Sequence, residues 1–97
     1  MSGVKVGPHG RFAASEHVRS RQFDDERVML DLQGGAYFAL DAIGARMWDS
    51  LTAGQTPAEV AAHLVSEYEA SQEQILEDCV LLAAELVNRG LLVRRSP

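Results

Sequence analysis

With 97 residues, 46% hydrophobic and 24% charged, the chain has the length of one domain and the composition of an ordinary globular protein. No apolar run approaches the ~18 residues that a bilayer crossing needs, and no apolar signal core follows Met1-Ser-Gly-Val-Lys5, so no membrane partner and a cytoplasmic location are expected. Residues 1–27 balance at +1, whereas residues 28–97 hold four basic and ten acidic side chains and balance at −6. Every expected helix falls in the acidic part, which is unsuited to neutralising phosphates and argues against nucleic acid as a partner.

Residues 1–16 contain three glycines, one proline and no sustained periodicity, and read as a flexible N-terminal arm. His17 to Phe23 carries a weak strand signal, and Asp24-Asp25-Glu26 reads as a turn. Arg27 to Gln33 alternates, with Val28, Leu30 and Leu32 on one face and Met29, Asp31 and Gln33 on the other. Gly34-Gly35 then signals a β-hairpin, and Ala36 to Leu40 returns as a third strand. A two-residue turn would set Leu32 opposite Tyr37 and Leu30 opposite Ala39, the expected core face. It would leave Met29, Asp31, Phe38 and Leu40 on a mixed face.

The returning strand has no charge, proline or polar gatekeeper. Soluble proteins normally blunt an edge of that kind. Left unblunted, it points to pairing with another segment, and so to peptide capture rather than catalysis. Pairing with a second copy of the chain remains open on the same ground.

Three helices follow. Asp41 caps the first, with Ile43, Met47, Trp48 and Leu51 at helical spacing. Thr56-Pro-Ala-Glu59 is a capping box with proline at the first position. Ser71-Gln-Glu-Gln74 reads as a second box opening a long helix to about Arg89, stopped by Gly90. The apolar arc of that helix, from Ile75 to Val87, spans about 160°, wider than the roughly 100° one core contact requires. Leu81 sits within a polar flank of Glu77, Asp78, Glu85 and Asn88. Either it is one more exposed leucine, or Asp78, Leu81, Leu82 and Glu85 wall a groove. Val80 and Val87 mark the opposite flank as the other choice.

No chemical constellation emerges. His9, His17 and His63 lack ligand spacing, and Cys79 is alone, on the apolar arc and without a base. No catalytic residue, metal site or cofactor is expected, and the chain does not read as an enzyme. Three strands followed by three helices give an α+β domain, winged-helix-like, with a three-stranded antiparallel sheet placed first.

Leu30-Asp-Leu-x-x-Gly-x-Tyr-Phe-x-Leu40, Gly44-Ala-Arg-Met-Trp48, Thr56-Pro-x-Glu59, Asp78 and Arg89-Gly-Leu-Leu92, in this order, resemble the PqqD-like family. These are RiPP recognition elements, which bind leader peptides of ribosomally made natural products. The Gly-Ala-Arg-Met-Trp segment resembles the stand-alone elements of lasso-peptide pathways more than the pyrroloquinoline-quinone protein itself. The resemblance implies a recognition domain over residues 17–93, between the arm at 1–16 and a tail at 94–97. It implies that a precursor leader peptide adds as a strand along Ala36, Tyr37, Phe38, Ala39 and Leu40, facing Asp78, Leu81, Leu82 and Glu85. It also implies hand-over to a separate leader peptidase, with a cyclase following. Relatives often carry an aromatic residue where this chain has Leu82. Two other readings stay open: a PqqD-like peptide chaperone for a radical-enzyme pathway, and a winged-helix DNA-binding regulator.

Overall fold

Local side-chain chemistry starts each helix in the structure, a computed structural model whose described residues are 5–95. In α1 (Ala42–Thr52), the Asp41 carboxylate accepts the Gly44 N–H at 2.8 Å. In α2 (Pro57–Leu64), the Thr56 hydroxyl accepts from Glu59 N–H, and the Glu59 carboxylate accepts from Thr56 N–H at 2.9 Å, closing the expected box. In α3 (Gln72–Asn88), only half of the second box forms. Ser71 accepts from Gln74 N–H, but the Gln74 amide donates to Asp78 Oδ1 at 3.0 Å instead of reaching back. Gly90, at φ 78°, ends α3 as expected. Its N–H donates to Val87 O, and Leu91 N–H donates to Leu86 O, which satisfies two carbonyls of the last turn.

The three helices bury Met47, Trp48 and Leu51 from α1, Val60, Ala61 and Leu64 from α2, and Ile75, Cys79, Ala83 and Leu86 from α3 into one core. Burial pushes the Cys79 thiol up to about 12, so at neutral pH it is a small apolar filler and not a nucleophile.

The first strand lies where the sequence suggested only an arm. Phe12–Ala14 (β1) pairs antiparallel with Leu92–Arg94 at the other end of the chain, and Phe12 and Leu92 are both about 1% exposed. Ser15 holds the junction, its hydroxyl donating to Gly90 O at 2.6 Å. Thus part of the segment assigned to the arm contributes to the core through Phe12, and Arg94, assigned to the tail, joins the strand that pairs with it. Residues 1–4 of the arm and 96–97 of the tail lie outside the described residues.

The second sheet is the expected one, β2 (Val18–Phe23), β3 (Glu26–Asp31) and β4 (Tyr37–Leu40) in that spatial order, with the C-terminal strand of the chain order named β5 (Leu92–Arg94) left to the smaller sheet. Its faces are the reverse of the sequence expectation. Met29 is fully buried and Leu40 4% exposed, with Phe38 packed against the core beside them. Tyr37 is 72% exposed, and Val28, Leu30 and Ala39 share its outward face. The turn explains the register. It spans residues 32–35, with Asp31 accepting from the N–H groups of Gln33 and Gly34, and Asp31 N–H donating to Ala36 O at 2.9 Å. The four-residue loop makes Leu30 face Tyr37 and Met29 face Phe38, and puts Leu32 in the turn at 61% exposure. The inward face is chosen at the far end of β4, where Leu40 packs against Gly44 as α1 begins.

Candidate functional site

Strand β4 is an outer strand of its sheet, with β3 on one side and no strand on the other. Hydrogen-bonded pairs alternate along an antiparallel ladder. Because Asp31 N–H bonds Ala36 O, the pairs Met29–Phe38 and Arg27–Leu40 are the bonded ones that follow. The N–H and C=O groups of Tyr37 and Ala39 therefore point away from β3, toward the open edge. Side chains alternate the other way, so Phe38 and Leu40 face inward.

A groove runs beside this edge. Its main hollow, of about 350 Å³, is bounded by Phe38, Ala39 and Leu40 from β4, Ile43 and Met47 from α1, and Asp78 and Leu82 from α3. Toward the start of β4, a small cleft is lined by Ala36, Tyr37 and Phe38 together with Asp31, Arg89 and Leu91. The Arg89 guanidinium lies 4.7 Å from the centre of the Phe38 ring, a cation–π contact, and its Nε donates to Glu85 Oε2 at 2.9 Å. Asp31, at the mouth of the cleft, is held below the usual carboxylate range, chiefly by the Gly34 N–H.

Seven of the nine residues singled out from the sequence border these two spaces: Ala36, Tyr37, Phe38, Ala39, Leu40, Asp78 and Leu82. Leu81 and Glu85 sit on the adjoining shoulder of α3, around a separate open hollow shared with Ala84, Asn88 and Arg89. Leu81 is 63% exposed. Val80 and Val87, on the other flank, border none of the three, and Val87 packs against the core. Sequence reasoning missed Arg89 and Ile43 as groove residues. Arg89 follows Leu82 by seven and Glu85 by four, so it shares their stripe of the helix.

An open strand edge beside an apolar hollow is an arrangement that can take up an extended chain. Strand β4 offers backbone donors and acceptors, and the hollow beside it offers apolar walls with alternate spacing. Helix α3 carries four carboxylates and no basic side chain, the opposite charge to that by which a winged helix reads DNA. No group of three or more His, Cys, Asp or Glu among the described residues could hold a metal ion. No helix among them is long and apolar enough to cross a membrane.

Residues 26–92 match the family model described as coenzyme PQQ synthesis protein D (PqqD). The chain belongs to the PqqD family. Two solved structures are similar to this PqqD-family domain. One is TbiB1 in complex with the TbiA(beta) leader peptide, 35% identical, with a TM-score of 0.78 over 88% of this chain and 99% of that one. The other is a lasso peptide synthetase B1 complexed with the leader peptide, 30% identical, with a TM-score of 0.80 over 86% of this chain and 98% of that one. No curated protein matches the chain.

Proposed function

We propose that this PqqD-family domain binds the leader peptide of a ribosomally synthesised lasso-peptide precursor. The leader adds as a fourth strand on the open edge of β4, and its inward side chains enter the groove between β4 and α3. The observation that carries this reading is the coincidence of two facts. The open edge and the apolar hollow lie side by side, and the two similar structures, covered almost end to end, are complexes with leader peptides.

On this reading Tyr37 and Ala39 dock the leader through their backbone, with Ala36 at the entrance. Phe38, Leu40, Leu82 and Asp78 shape the side-chain pockets, and Leu81 and Glu85 supply the outer shoulder. The domain performs no chemistry itself. It presents the precursor to a separate leader peptidase, and a cyclase acts afterwards, so its contribution is effective concentration. A cytoplasmic place of action belongs to the same reading.

The test is a fluorescence-anisotropy titration with a labelled leader peptide from the neighbouring precursor gene, alongside a labelled DNA duplex. Saturable binding of the peptide and none of the duplex is expected. Binding of the duplex alone would overturn the proposal.

A further inference from the structure

The groove is apolar along its walls but acidic at the rim of its Leu40 end. Asp41, immediately before α1, and Asp78, on α3, both border the hollow lined by Phe38, Leu40, Ile43 and Leu82. Both are exposed. Their hydrogen bonds come from neutral donors, Gly44 N–H for Asp41 and the Gln74 amide for Asp78. Among the described residues, neither forms an ion pair.

The opposite end differs. Glu85 is paired with Arg89, whose guanidinium also covers the Phe38 ring. That end carries its own counter-charge, whereas the Leu40 end brings two carboxylates without an ion-pair partner among the described residues to one hollow. A cation held at that hollow gains from both carboxylates. Lysine and arginine suit the place, because their methylene stems can lie along an apolar wall while the charged head stays at the wet rim.

Resting on the leader-binding reading above, we propose that this groove selects an extended peptide bearing an apolar anchor and, two residues away on the same face, a lysine or arginine held by Asp41 and Asp78. The spacing follows from the period of an extended strand, in which alternate side chains share a face. The apolar residue fills the hollow and the basic one sets the register. Discrimination then comes from two residues on different elements rather than from a single flank of α3.

The test is selection of displayed random dodecapeptides on the full-length chain, repeated on the double variant Asp41→Asn/Asp78→Asn. Asparagine keeps an oxygen for the Gly44 N–H and the Gln74 amide, so the cap and the helix persist. The parent should enrich an apolar residue together with Lys or Arg at the alternate position. The double variant should keep the apolar preference and lose the basic one. A selected peptide should bind the variant on the order of tenfold more weakly at low salt, with the gap shrinking at high salt. Apolar enrichment without a basic preference, or the same basic preference on the double variant, overturns the charge selection while leaving the groove as a peptide site. Selected peptides that leave the NMR signals of Phe38 and Leu82 unmoved in the parent overturn both the selection and the leader-binding reading beneath it.

Discussion

Replacing Ala39 by proline separates strand addition from every mode of binding that uses side chains alone. The Ala39 N–H faces the open edge, because the ladder bonds to β3 fall on Phe38 and Leu40. Ala39 is exposed and its methyl lies on the outward face, so the ring of proline meets solvent rather than core. Proline is tolerated on an edge strand when the lost donor pointed outward. The folded domain should thus be nearly unchanged. The bound leader, by contrast, loses one backbone hydrogen bond, a net of about 0.5–1.5 kcal/mol. The leader carbonyl that it served is left without a donor in a partly desolvated groove, which adds about 1–3 kcal/mol. Together these weaken binding by roughly tenfold to a thousandfold.

Anisotropy titration of the labelled leader gives the affinity, and thermal unfolding followed by circular dichroism confirms that the variant is folded. Phe38→Pro provides the contrast. Its N–H belongs to the ladder with Met29, so that variant should lose about 1–3 kcal/mol of stability through an internal bond. A folded Ala39→Pro domain that binds the leader with parental affinity would refute strand addition at this edge.

Three further outcomes check the fold on which the site rests. Met29→Ala should lower unfolding free energy by about 2–5 kcal/mol in denaturant titration, because Met29 is fully buried, whereas Tyr37→Ala, at 72% exposure, should change it by less than about 0.5 kcal/mol. Gly90→Ala introduces a side chain at φ 78° where nothing crowds it, so conformational strain alone should remove about 1–2 kcal/mol, read as a drop in Tm of several degrees. Asp31, Glu59 and Glu67 are each held below their ordinary range by Gly34 N–H, Thr56 N–H and Arg46 respectively, so the unfolded chain binds more protons in acid. Stability should be complete above about pH 5 and decline as pH falls through the lowered values, and Asp31→Asn, which keeps the turn acceptor, should flatten part of that decline.

The helices were legible because their causes are local. Asp41, Thr56 with Glu59, Ser71 and Gly90 each act within three or four residues, and a single window of sequence contains the whole interaction. The pairing of Phe12–Ala14 with Leu92–Arg94 has no such window. Three residues at each end carry no period, and their hydrogen bonds exist only once the chain has closed on itself. The groove was legible in part for the same reasons. The stripe of α3 and the uncharged strand could be named from spacing, but the Phe38–Arg89 stack joins β4 to the end of α3, with α1 and α2 between them in the chain, and lies in no single window.

The inverted sheet faces bear most directly on how β4 works. Both faces of the hairpin are apolar enough to be core: Val28, Leu30, Tyr37 and Ala39 on one, Met29, Phe38 and Leu40 on the other. Hydrophobic alternation therefore could not choose between them. Leu40 chooses, because it immediately precedes the Asp41 cap and is pinned against Gly44 where α1 begins. Once Leu40 points inward, parity sends Phe38 and Met29 inward and Tyr37 and Ala39 outward. The same parity fixes the backbone. The residues whose side chains face the groove spend their hydrogen bonds on β3, and the residues whose side chains face solvent present theirs to the open edge. In the proposed strand addition, one strand would offer a leader two independent contacts, backbone from Tyr37 and Ala39 and side chains from Phe38 and Leu40. Exposure of Tyr37 and Ala39 is what recognition by strand addition requires of them.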